Sequence, residues 1–128
     1  MKKVDAKDVT VISVTYNSAH CLPALSEALK TMKNIVIVDN ASDDDIEAQL
    51  RIAPPNATLI RNVKYLGFGA ANNRALATVT TPYAVLPNPD CLQTAAFLAG
   101  ILQAAENFPD AAIIAPYLIR RDGSPEAS

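Results

Sequence analysis

Three places in the chain set chemically capable side chains beside strand-like runs. The first is Ile35-Val-Ile-Val-Asp39, four β-branched apolar residues ended by a carboxylate. An ionised carboxylate only accepts hydrogen bonds. At the carboxyl end of a buried strand it stands where open α/β sheets hold their ligands. Asn40-Ala41-Ser42-Asp43 follows and offers turn and cap residues. The second place is Gly67-Phe68-Gly69, ahead of an alanine-rich segment. Backbone N–H groups at such a helix start can approach a phosphate; a plain loop is the other reading of a lone Gly-x-Gly. The third is Pro87-Asn88-Pro89-Asp90, where a carboxylate follows an apolar run and serves equally as a turn or cap residue. Asp43-Asp44-Asp45 has the look of a metal cluster, but its place at a helix start fits the helix dipole better. His20, the single histidine, reads as a surface residue at a helix start. Cys21 and Cys91 lack metal-site spacing and read as buried thiols.

The elements that position these residues follow from periodicity. Strands are expected over residues 9–15, 35–38, 58–61 and 83–86, with a last one over 111–119 that Pro116 pushes toward a sheet edge. Helices are expected over 19–32, 43–52, 70–78 and 94–107. In the first of these Leu22, Leu25, Leu29 and Met32 share a face, and Pro23 is tolerable only in the first turn. Ile46, Leu50 and Ala53 share a face in the second, and Pro54-Pro55 ends it. In the last, Phe97, Leu98, Ile101 and Leu102 point inward and Thr94 is the cap. Residues 62–69 form a glycine-bearing loop, and 120–128 a polar tail. Strand and helix alternate throughout. The expected fold is α/β, a doubly wound, mostly parallel sheet with helices on both faces.

Composition removes several classes of function. The 128 residues suit one domain, and half of them are hydrophobic, enough for a core. Eleven basic side chains against thirteen acidic ones leave a net charge of −2, with no basic patch, so no nucleic-acid partner is expected. Two cysteines make no disulfide framework and fit a reduced, cytoplasmic setting. Lys2-Lys3 is not followed by an apolar h-region, so no signal peptide is expected. No apolar run reaches the roughly 18 residues that span a bilayer, so no transmembrane segment is expected. The turn after the first strand, Thr15-Tyr16-Asn17-Ser18, has no glycine, which removes a dinucleotide-binding domain. A phosphate loop of the Gly-x-x-x-x-Gly-Lys type is absent too. A response-regulator receiver domain shares the length and alternation, but neither the turn after the first strand nor the end of the third, Leu59-Ile60-Arg61-Asn62, supplies the residues it needs.

Four segments, in their order and spacing, resemble one family. They are Val11-Ile-Ser-Val-Thr-Tyr-Asn17, Ile37-Val-Asp-Asn-Ala-Ser42, Asn62 with Leu66-Gly-Phe-Gly-Ala-Ala-Asn-Asn-Arg-Ala75, and Leu86-Pro-Asn-Pro-Asp90. Together they closely resemble the nucleotide-sugar-binding half of family-2, inverting glycosyltransferases of the GT-A fold, above all the rhamnosyltransferase-like branch. The resemblance covers residues 9–119. It implies that Thr15, Tyr16 and Asn17 line a nucleoside pocket and that Asp39 accepts the imide N–H of uracil or thymine, with Asn40 and Ser42 beside it. Gly67, Phe68, Gly69 and Asn73 would shape the floor near ribose, diphosphate and sugar. Asn88-Pro89-Asp90 falls where the family carries Asp-x-Asp, so Asp90 would bind Mg²⁺ or Mn²⁺ bridging the diphosphate. Two positions depart from the family pattern: Asn88 replaces a frequent Asp, and Tyr65 stands where relatives usually have Asn.

The implied ligand is a UDP- or dTDP-linked sugar, and the implied activity is glycosyl transfer in polysaccharide synthesis. An inverting transfer needs a general base, and in this family it lies in an acceptor-binding half past Asp-x-Asp. None of Asp110, Asp122 or Glu126 sits in a matching motif. The chain is therefore expected to be a donor-binding domain, residues 1–119, with a polar tail, 120–128, inactive alone, and either a truncated piece of a larger enzyme or a naturally short module. The competing expectation is a non-catalytic GT-A-like scaffold or interaction module. A missing half would leave apolar surface uncovered, so a homodimer is expected. The expected location is the cytoplasm, extending to the inner face of its membrane.

Overall fold

The computed structural model describes residues 3–45, 48, 51, 56–88, 95–117 and 119–125. Its elements in chain order are β1 (Val9–Thr15), α1 (Leu22–Leu29), β2 (Asn34–Asp39), β3 (Ala57–Arg61), α2 (Phe68–Leu76), β4 (Tyr83–Val85) and α3 (Ala95–Asn107). The β-branched runs 9–15 and 35–38 are strands, as expected. The four strands form one sheet in the order β3-β2-β1-β4, every pair parallel. The register aligns the strand ends: Thr15 pairs with Asp39, and Asp39 with Arg61.

Alternation along β1 and β2 sends side chains to two separate cores. Val9, Val11, Ile35 and Ile37 face α1 and α3, where they pack with Leu22, Leu25, Leu29, Met32 and Leu98. Ile12, Val14, Val36 and Val38 face α2 and meet Ala71 and Ala75. The α1 side is built of large side chains, each contributing about 1.5–3 kcal/mol when fully buried. On the α2 side, two alanines one turn apart present little bulk to the sheet. Helices on both faces of a parallel sheet confirm the doubly wound α/β class.

The order of the strands locates a candidate binding edge. The chain runs outward from β1 through β2 to β3, then returns across the sheet so that β4 lies on the far side of β1. Such a reversal opens a crevice beyond the carboxyl ends of the strands.

Two expectations need correction. The segment 19–32 is not one helix: Ala19–Cys21 winds as a 3-10 turn and α1 starts at Leu22. Pro23 explains this, since proline is accepted in a first helical turn and not deeper. No strand forms among the described residues of the expected segment 111–119. Ile119 instead makes an isolated antiparallel bridge to Pro125, closed by Arg120 N–H to Ser124 O at 2.8 Å and by Gly123 at φ +85°. A strand needs a neighbour, and Pro116 cannot donate to one. Phe108, Ile113, Tyr117 and Ile119 are consequently exposed, Ile113 to 88%. The helix expected over 43–52 and the cap Thr94 fall largely or wholly outside the described residues; within them, Asp45 Oδ1 accepts from Ala48 N–H at 3.3 Å, a capping contact.

Candidate functional site

The carboxyl ends of β1 and β2 are stitched together by their turns. Asn17, at φ +49°, donates its N–H to Ser42 Oγ at 2.9 Å, and its side-chain Oδ1 accepts the Asp43 N–H at 2.9 Å. Asparagine tolerates this left-handed backbone better than most residues. Ala41, at φ +62°, turns the chain after β2. Ser18 Oγ accepts from Tyr16 N–H at 3.3 Å and donates to Tyr16 O at 2.9 Å, fixing the β1 turn. Asp44 Oδ2 accepts from Ala19 N–H at 3.0 Å, while its Oδ1 is buried with no hydrogen-bond partner. Among the described residues no group of three His, Cys, Asp or Glu side chains could hold a metal ion.

Asp39 is fully buried, and its carboxylate is nearly saturated. Oδ1 accepts from Thr15 Oγ1 at 3.0 Å and from the Ser42 hydroxyl; Oδ2 accepts from Ser42 N–H at 3.2 Å. Arg61 Nε lies 3.8 Å from Oδ2. Three donors and a nearby guanidinium together hold a buried charge that would otherwise be costly to desolvate. Asp39 has the parity of Ile35 and Ile37, so its side chain belongs to the α1 side of the sheet.

Asn40 has the opposite parity and an equally buried amide. Its Nδ2 donates to Gly67 O at 3.2 Å, and its Oδ1 accepts from Asn62 Nδ2 at 3.1 Å and from Leu66 N–H at 2.9 Å. Its own N–H continues the ladder to Thr15 O at 2.8 Å. Arg74, on α2, donates to Asn62 Oδ1. One amide thus ties the end of β2 to the end of β3 and to the glycine loop. Gly67, at φ +83° and ψ 166°, holds a backbone nearly closed to other residues.

Beside Asn40 lies an open cleft of about 220 Å³, lined by Val14, Tyr16, Ser18, Asn40, Tyr65, Phe68 and Asn88. It spans the ends of β1, β2 and β4, where the strand order reverses. Tyr16 and Tyr65 stand at its mouth with ring centroids 4.8 Å apart and planes tilted by 59°. Ser13 Oγ donates to Pro87 O at 3.3 Å, which holds the segment after β4 against β1.

Of the residues expected from sequence, Tyr16, Asn40, Phe68 and Asn88 line this cleft. Thr15, Asp39 and Ser42 lie behind it in the sealed network, and Asn17 is exposed in the turn between. Gly67 is fixed by Asn40, and Gly69 sits in the first turn of α2. Asn73 is exposed on α2, whereas Asn72 is buried and donates to Phe68 O at 3.0 Å. Asp90, the expected cation ligand, lies outside the described residues, as does Cys91. The expectation passed over Val14, Ser18 and Tyr65 as lining residues, and Asn62 as a support. Val14 carries no sequence signal beyond core. Tyr65, an aromatic inside the glycine-bearing loop and two residues before Gly67, is the visible clue.

Among the described residues no helix is long and apolar enough to cross a membrane. Two curated relatives share similarity with the chain. Both are named N-acetylglucosaminyl-diphospho-decaprenol L-rhamnosyltransferase, one from Mycobacterium tuberculosis strain CDC 1551 / Oshkosh and one from strain ATCC 25618 / H37Rv. Each is 26% identical over 129 residues, covering 89% of this chain and 42% of the relative. The chain therefore spans about two-fifths of the length of the curated relatives it matches. Residues 10–127 match the model of glycosyl transferase family 2, nearly the whole chain, with the binding edge inside the match. The chain belongs to glycosyl transferase family 2.

Proposed function

We propose that this chain is the donor-binding part of a glycosyltransferase that takes a UDP- or dTDP-linked sugar with Mg²⁺ or Mn²⁺. The observation that carries the reading is the cleft at the strand-order reversal, with Asn40 as its floor and aromatic rings at its mouth. Aromatic walls with a few convergent polar groups suit a nucleoside. At about 220 Å³ the cleft has room for one end of such a ligand, and the diphosphate and sugar extend over its open side.

Within this reading the chain's residues bind and orient. Asp39 is the acceptor for the imide N–H of the base. It is fully buried behind the cleft, with both oxygens engaged by Thr15 and Ser42 and Arg61 beside Oδ2, so the base reaches it only where the Ser42 turn opens. Asp90 would hold the cation, with the neutral Asn88 amide beside it, and the diphosphate would supply most of the oxygen ligands. A cation bound there supplies charge neutralisation for the departing nucleotide. The general base for the acceptor hydroxyl is assigned to no residue of this chain.

By likeness to the two relatives, the group transferred is a rhamnosyl unit and the acceptor a lipid-linked diphospho-sugar. A reaction at a membrane face, in the building of polysaccharide, would suit an acceptor of that kind. The exposed apolar residues Phe108, Ile113, Tyr117 and Ile119 suit a homodimer contact, which sedimentation at several concentrations tests. Calorimetry with UDP and dTDP, each with Mn²⁺ or Mg²⁺, tests the donor reading. Saturable binding that needs the cation and weakens at least tenfold in Asp90→Ala is expected. Absence of binding under every combination overturns it.

A further inference from the structure

We propose that Tyr65 is an aromatic gate over the cleft, its ring packed against Tyr16 as the structure shows it and stacked on the nucleobase when a donor enters. The inference rests on the nucleotide-donor reading and adds to it a residue that contacts the base.

The ring geometry is the starting point. A flat heterocycle held between two rings needs them about 7 Å apart, two carbon–carbon contact distances of about 3.5 Å. Tyr16 and Tyr65 are 4.8 Å apart by centroid and tilted, so no base fits between them as they stand. Their arrangement is an ordinary tilted aromatic pair. It is held loosely: Tyr16 is 47% exposed and Tyr65 58% exposed, and among the described residues nothing hydrogen-bonds the Tyr65 hydroxyl. One ring must swing aside for a base to occupy the mouth of the cleft.

The backbone decides which part of Tyr65 moves. Leu66 N–H and Gly67 O, directly after Tyr65, are both anchored on the buried Asn40 amide. Asn40 is in turn fixed by Asn62 and by the β1 ladder. The loop therefore stays in place while the Tyr65 side chain turns about its own torsions. Its ring remains at the mouth in either position.

Stacking uses the π face that every base has, so it adds affinity without choosing the base. Tyr65 accordingly raises the affinity for UDP and dTDP by the same factor. Base identity is left to the polar groups behind it.

Calorimetry on the wild-type chain, Tyr65→Ala and Tyr65→Phe tests this, with UDP, dTDP and inorganic pyrophosphate as probes, each with Mn²⁺. Tyr65→Ala should weaken UDP and dTDP alike by roughly tenfold. Tyr65→Phe keeps the ring and should bind within about twofold of wild type. Pyrophosphate, which has no base, should bind all three proteins equally. Where it binds too weakly to fit, the contrast between Ala and Phe decides. Wild-type-like or tighter UDP binding by Tyr65→Ala overturns the gate and leaves the donor reading standing. An equal loss for pyrophosphate shows a general disturbance of the site and also overturns the gate. A wild-type chain that binds none of the three probes overturns both. Because the Tyr65 side chain is mostly exposed, melting temperatures of the three proteins should agree.

Discussion

Asp39 and Asn40 are consecutive, fully buried and hydrogen-bonded on every side, yet they serve opposite faces of one sheet. On the α1 side, large side chains fill the space up to Asp39, and Thr15 and Ser42 close over its carboxylate. On the α2 side, Ala71 and Ala75 supply little bulk, and the space beyond Val14 is left open as the cleft. The contrast separates two tasks that the single motif Val-Asp-Asn-Ala-Ser carries. The aspartate locks the turns after β1 and β2 together. The asparagine holds the glycine loop whose aromatic neighbours border the cleft.

Breaking the locked side should have the larger effect on folding. Asp39→Ala removes the acceptor of three buried donors and should lower stability by about 3 kcal/mol, measured by urea denaturation. Asn40→Ala leaves Leu66 N–H and Gly67 O without their partners and should cost about 2 kcal/mol. It should also weaken UDP binding, because the loop that carries Tyr65 loses its anchor; calorimetry beside denaturation separates the two effects. Gly67→Ala meets open space but must adopt a backbone that nearly excludes other residues, for a loss of about 1–2 kcal/mol. The smallest effect lies away from both faces. The Lys7 N–H holds the Asp5 carboxyl below its ordinary value. A group lowered on folding stabilises above its unfolded pKa, and that stability is lost as pH falls through the lower folded value. Asp5→Asn should therefore flatten the acid end of a stability–pH profile slightly and leave nucleotide binding unchanged.

Much of this contrast could be read before any coordinates. The β-branched runs named β1 and β2, and their period of two assigns Asp39 and Asn40 to opposite faces. The strand ends as a binding edge followed from alternation of strand and helix. What stayed hidden depends on partners distant in sequence. The bonds from Asn40 to Leu66 and Gly67, and from Asn17 to Ser42, cross 25 to 27 residues and rest on turns with positive φ at Asn17 and Ala41. Periodicity carries no information about such turns, so Tyr65 and Ser18 were not assigned to the cleft. The segment 111–119 failed for a related reason. Its apolar residues have strand propensity, but propensity names no neighbour, and Pro116 removes one of the donors that pairing would use.

The central claim is that nucleotide enters on the Asn40 side of the strand ends. Amide chemical-shift mapping of the labelled chain, titrated with UDP and Mg²⁺, tests it most directly. The largest shifts should fall at Val14, Tyr16, Ser18, Asn40, Tyr65, Phe68 and Asn88, with α1 and α3 unmoved. Shifts concentrated on α1 and α3, or none at saturating UDP, would contradict the account.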